Sequence, residues 1–83
     1  MNIESKIERF LVDEVLLGDQ QTKIDPDQML IDAGILDSLT LLRLITFVED
    51  NFGVMIDDSE VVPDNFQSIS MTRAFIEKKL QAQ

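Results

Sequence analysis

Between residues 38 and 52 the chain reads SLTLLRLITFVEDNF, and its apolar residues return every three or four positions. Leu41, Leu44, Ile45 and Val48, with Phe52 just beyond, fall on one broad face of an α-helix, which predicts a stripe turned to the core. The same spacing recurs upstream in Ile3, Ile7, Phe10, Leu11 and Val15, and downstream in Ile69, Thr72, Ile76 and Leu80. Three such blocks within 83 residues predict an all-α fold, a small helical bundle forming one domain over residues 1–83. The chain has no cysteine, so disulfides, thiolate metal sites and a cysteine nucleophile are excluded. The apolar stripes have to supply the core.

Punctuation residues divide these blocks. Gly18 marks the expected end of the first helix and Gly53 that of the second, as C-terminal glycines do. Glu14 interrupts the first stripe and is expected at its edge. Residues 18–37 form a long connection, pinned by Ile24, Met29, Leu30, Ile35 and Leu36. Within it, DPDQML is expected to make one helical turn with Pro26 near its start, and Gly34 to supply a positive φ. The stretch DDSEVVPDNF can hold only a short helix, because Pro63 is expected to stop anything longer. Ser68 reads as the N-cap of the last helix, Phe75 lies at the flank of its stripe, and Lys78 and Lys79 sit in its final turn.

The outer face of the second helix carries Leu39, Arg43, Thr46, Phe47 and Asp50. Two large apolar residues on a polar face have two accounts. They are half-buried under the long loop or against a third helix, or they anchor a docking surface around Arg43.

Charge and residue usage narrow the function. Seven basic against 16 acidic residues give a net charge of −9, which repels nucleic acid and anionic lipid and favours basic protein partners. No apolar run approaches the roughly 18 residues of a membrane span, and the opening residues are unlike a signal peptide, so a cytoplasmic location is expected. The acidic clusters lack the Asp, Gly and Glu positions of a calcium loop. The chain has no histidine, which removes the commonest general base and the commonest metal ligand together.

Against this background stands Asp37-Ser38 in AGILDSLTLL. As a helix start it is ordinary, with Asp as N-cap and Ser in the first turn. As a catalytic serine it has no histidine or nearby lysine to take its proton, and ILDSLT is not a nucleophile elbow. A third possibility is a passive hydroxyl that receives a group from another enzyme. A phosphodiester there would face free backbone N–H groups and the positive end of the helix dipole.

The segments GILDSLTLLRLITFVEDNFGVMI and PDNFQSI resemble the acyl and peptidyl carrier proteins that bear 4′-phosphopantetheine, over nearly the whole chain. The resemblance implies a four-helix carrier bundle with a long first loop and a short third helix, without catalytic activity of its own. It implies that a phosphopantetheinyl transferase moves 4′-phosphopantetheine from coenzyme A onto Ser38, with Asp37 as its motif neighbour. A ligase, adenylating or acyl, would then load the arm as a thioester for downstream acyl-processing enzymes. Leu39 resembles part of the surface such partners read, with Arg43 and Phe47 beside it, and a monomer is expected. Two residues depart from the fatty-acid pattern: Leu36, where many carriers have a small residue, and Arg43, where fatty-acid carriers typically have acid. With IDDSEVVPDNFQSI, they point to a freestanding carrier for amino acids or specialised acyl groups, D-alanyl carriers included. The alternatives are a fatty-acid acyl carrier and a carrier-like adaptor without the prosthetic group.

Overall fold

A computed structural model of the chain describes residues 2–14 and 24–82. Among these residues four α-helices follow in order: α1 (Ile3–Glu14), α2 (Ser38–Phe52), α3 (Pro63–Phe66) and α4 (Ile69–Ala82). A 3₁₀ turn over Asp58–Glu60 precedes α3. The chain is thus the all-α bundle with a short third helix that its periodicity and resemblance predict.

Helices α1, α2 and α4 each begin where a side chain satisfies an orphan amide, whereas α3 opens on Pro63 without a side-chain cap. Asn2 accepts the Ser5 N–H at 3.0 Å ahead of α1. Ser68 accepts the Met71 N–H at 3.1 Å ahead of α4, the capping role its position predicts. Gly53 ends α2 at φ 68°, in the left-handed region that favours glycine, and its N–H donates to the Glu49 carbonyl. The predicted end of α1 at Gly18, and Val15 in its stripe, lie outside the described residues.

The stripes meet in one core. Helix α4 packs against α1, α2 and α3, and α1 also packs on α2. Ile7, Leu11, Leu30, Leu44, Val48, Phe66, Ile69 and Ile76 are its most enclosed apolar side chains. Thr72 is buried among them and donates its hydroxyl to the Ser68 carbonyl at 2.8 Å, so burial leaves it satisfied. Glu14 is exposed, at the edge of its stripe as expected.

DDSEVVPDNF holds only short helical pieces, as expected: the 3₁₀ turn ends ahead of Pro63, which itself takes the first turn of α3, where its missing N–H costs nothing and its fixed φ suits the helix. Two expectations need correction. DPDQML forms turns, not a helical turn. Asp25 draws the chain round, its carboxylate taking the Asp27 N–H at 2.8 Å and its carbonyl the Gln28 N–H at 2.9 Å. Met29 is half exposed and is not part of the core, whereas Ile24, Leu30 and Leu36 are buried as predicted and Ile35 packs against the core partly buried.

Candidate functional site

Ser38 opens α2, and the geometry around it follows from the residue before it. Asp37 has extended backbone, and its carboxylate accepts the Thr40 N–H at 2.8 Å. Its carbonyl accepts the Leu41 N–H at 2.8 Å, the first hydrogen bond of the helix. Asp37 is therefore the cap, and Ser38 is the first helical residue. Ser38 is exposed, and its hydroxyl makes no hydrogen bond to the described residues. Its side chain does no structural work.

The cap also sets the local charge. Hydrogen bonds from the Thr40 N–H and hydroxyl hold the Asp37 carboxyl below its usual range, with the Leu39 N–H and the Arg43 charge adding to the effect against a small cost of burial. The expectation of free amides awaiting a phosphodiester is thus corrected in part. The Thr40 amide is already taken by Asp37, and a negative charge sits beside Ser38. An anionic group on Ser38 would meet the helix dipole and the Asp37 carboxylate together.

A titration test follows. A carboxyl with a depressed folded pKa stabilises the fold fully above its unfolded value, and that contribution is lost as pH falls through the folded value. Asp37→Asn keeps a good cap but cannot titrate. Between pH 7 and pH 3 the unfolding temperature is expected to drop less in Asp37→Asn than in the native chain, since ordinary aspartates protonate near pH ~4. The other carboxylates titrate in both proteins, so an identical drop would mean that the Asp37 charge contributes nothing to the cap.

On the outer face of α2 the structure separates residues that the helical wheel grouped. Leu39 is 60% exposed. Arg43 reaches α1, with its guanidinium 3.3 Å from the Glu14 carboxylate, and both side chains remain partly in solvent. Phe47 is half-buried, with its ring 4.8 Å from that of Phe10 on α1 and 6.5 Å from that of Phe52. Of the two accounts, burial against a helix holds for Phe47. Leu42, unassigned from the sequence, is as exposed as Leu39. The apolar pair presented beside Ser38 is therefore Leu39 and Leu42.

The segment leading into Ser38 is held from a distance. Gln67, between α3 and α4, accepts the Leu30 N–H on its carbonyl at 2.6 Å. Its side-chain oxygen accepts the Ile31 and Asp32 N–H groups at 3.0 and 3.1 Å. Nothing in the sequence marks Gln67, because its partners lie about 35 positions away. Gly34 takes φ 78° just ahead of the site, as predicted.

These features fit a covalently attached group. The hydroxyl is solvent-facing, unshared and carried on a helix that keeps its cap when the hydroxyl is esterified. No group of three or more His, Cys, Asp and Glu side chains among the described residues is placed to hold a metal ion.

Comparison with known proteins points the same way. The family model described as "Phosphopantetheine attachment site" matches residues 14–76. The acyl carrier protein of Solidesulfovibrio magneticus is 34% identical over 79 residues, covering 95% of this chain and 96% of the relative. The D-alanyl carrier protein of Streptococcus mutans is 32% identical over 68 residues, 82% of each chain. The solution structure of a holo acyl carrier protein from Nitrosomonas europaea superposes with a TM-score of 0.79 at 26% identity, covering 98% of this chain and 99% of that one.

Proposed function

Because this chain belongs to the phosphopantetheine-attachment family of acyl and aminoacyl carrier proteins, we propose that Ser38 is the residue that carries its 4′-phosphopantetheine. The family's proteins hold this group covalently and are not enzymes. The observation that carries the assignment is the division of labour at the head of α2: Asp37 caps the helix, which leaves the Ser38 hydroxyl exposed and unshared.

In this reading residues 1–83 form a single cytoplasmic carrier unit. A phosphopantetheinyl transferase esterifies Ser38 with the phosphopantetheine of coenzyme A, releasing the adenosine bisphosphate portion. The thiol supplied by the arm holds cargo as a thioester. An adenylating or acyl ligase loads that thiol, and acyl-processing enzymes act on it afterwards. The protein's own residues position the hydroxyl and present a face to each visitor. We assign that face to Leu39, Leu42 and Arg43, with Phe47 packing beneath it against Phe10. The cargo is an amino acid or a specialised acyl group, a reading supported by Leu36 and Arg43 and by the similarity to the D-alanyl carrier protein. The comparably similar acyl carrier protein supports a simple acyl cargo as the second reading.

The test is an intact-mass measurement. Purified protein incubated with a promiscuous phosphopantetheinyl transferase and coenzyme A is expected to gain one phosphopantetheine. No gain would sink the proposal.

Arg43 gives a second test. Arg43→Glu removes the tie to Glu14, places a like charge beside it and reverses the sign of the docking face. The exposed ion pair contributes little to folding, so stability is expected to change by less than about 1 kcal/mol. The association rate with the transferase is expected to change, with the difference shrinking as salt rises. An unchanged rate at low salt would remove Arg43 from the face.

A further inference from the structure

We propose that Gln67 is a positioning residue for the modification of Ser38, acting through the turn that leads into α2. The proposal rests on the reading of Ser38 as the acceptor. Gln67 binds three consecutive amides of the turn: Leu30 through its carbonyl, and Ile31 and Asp32 through its side-chain oxygen. Its side-chain N–H group faces the Asp32 carboxylate at 3.5 Å. One residue thus serves both faces of a single turn from the far side of the α3–α4 junction.

The hold passes directly to the site. The Leu30 carbonyl accepts the Ile35 and Leu36 N–H groups at 3.0 and 3.1 Å, closing the turn on itself. Leu30 and Leu36 are buried, and the next residue is Asp37, the cap of α2. Gln67 is itself fixed, with its N–H on the Pro63 carbonyl at 2.8 Å across α3. A second tie, from the Ser70 N–H to the Pro26 carbonyl at 2.9 Å, holds the start of the segment independently. Removing the Gln67 side chain therefore loosens the turn without releasing the whole connection.

The physical effect is on population. The Ile31 and Asp32 amides lie at partly exposed positions, so they turn to water when Gln67 is truncated, and the fold survives. The turn then samples arrangements in which the Asp37-Ser38 corner is displaced. A transferase that binds only the ordered arrangement sees its apparent affinity reduced by the ordered fraction, while chemistry on the bound complex is unaltered. KM for the carrier rises and kcat stays.

The experiment measures transferase kinetics with coenzyme A on the native chain, Gln67→Ala, and the double variant Gln67→Glu with Asp32→Asn. The double variant keeps an oxygen for the two amides and exchanges donor and acceptor in the contact between side chains. Gln67→Ala is expected to raise KM about tenfold with kcat within about twofold. Hydrogen-exchange protection of the Ile31 and Asp32 amides is expected to be almost wholly lost, since a tenfold rise in KM requires the ordered fraction to fall to about one tenth. The double variant is expected to return KM to within about threefold of the native value. A KM for Gln67→Ala within twofold of native overturns the proposal, even if exchange protection falls, because the clamp would then be structural only. A double variant no better than Gln67→Ala also overturns it. A native chain that gains no phosphopantetheine refutes instead the assignment of Ser38, before any variant is compared.

Discussion

Ser38→Ala is expected to take up no phosphopantetheine while keeping native helix content and an unchanged unfolding midpoint. The two halves of that result have separate causes. The hydroxyl is the proposed acceptor, so its removal takes the mass gain from one group to none. The helix does not depend on it, because the cap is the Asp37 carboxylate on the Thr40 amide. Alanine in the first helical position is a good helix former, and an exposed change of this kind stays within about 0.5 kcal/mol. Ser68 makes the contrast concrete. It too stands at a helix start, but it is buried and its oxygen holds the Met71 amide. Ser68→Ala is expected to cost stability and leave the mass gain intact. Intact mass and thermal unfolding of the two variants decide the matter, and an undiminished gain in Ser38→Ala would refute the assignment.

Phe66→Ala is expected to unfold most of the population at 25 °C. Phe66 is fully buried, and its ring meets that of Phe75 on α4 edge-on at 5.3 Å. Truncating such a residue costs about 3–5 kcal/mol through lost transfer energy and the cavity left behind. A domain of this length seldom has more than about 3–5 kcal/mol to lose. The position sharpens the effect, since Phe66 is the only buried side chain on the four-residue helix α3. Without it α3 loses its one buried anchor, and Gln67, bonded to Pro63 at the other end of α3, loses its seat. Urea unfolding monitored by circular dichroism measures the loss. A cooperative transition within about 1 kcal/mol of the native one would show that α3 is not anchored by this ring.

Local signals were legible in the chain where one short segment contains all of its own physics. Asp37 caps α2, Gly53 ends it and Ser68 caps α4, because each acts on amides or carbonyls within a few residues of itself. Pro63 also acts locally: it keeps the 3₁₀ turn before it from running on and opens the short α3. In DPDQML the local rule misled. Asp25 competes for the amides that a helical turn in DPDQML would need. Gln67 carries no local mark at all. Its role exists only once α3 and α4 have brought it against a turn that is remote in the chain.

The chain alone thus determined the three long helices, the caps at Asp37 and Ser68, and an Asp-Ser pair with no histidine or cysteine to make it catalytic. These follow from periodicity, hydrogen bonding over three or four residues and the lack of any histidine or cysteine. Only the tertiary structure decided which residues stand around Ser38. Leu42 and Phe47 flank the buried stripe of α2 on opposite sides, each roughly 110° from its centre at 100° per residue. On the wheel they are near equivalents. Helix α1 lies on one flank, where Phe10 covers Phe47 and Glu14 holds Arg43, while Leu42 stays in solvent. A helix specifies the angles of its side chains, but which flank is covered depends on where another helix packs.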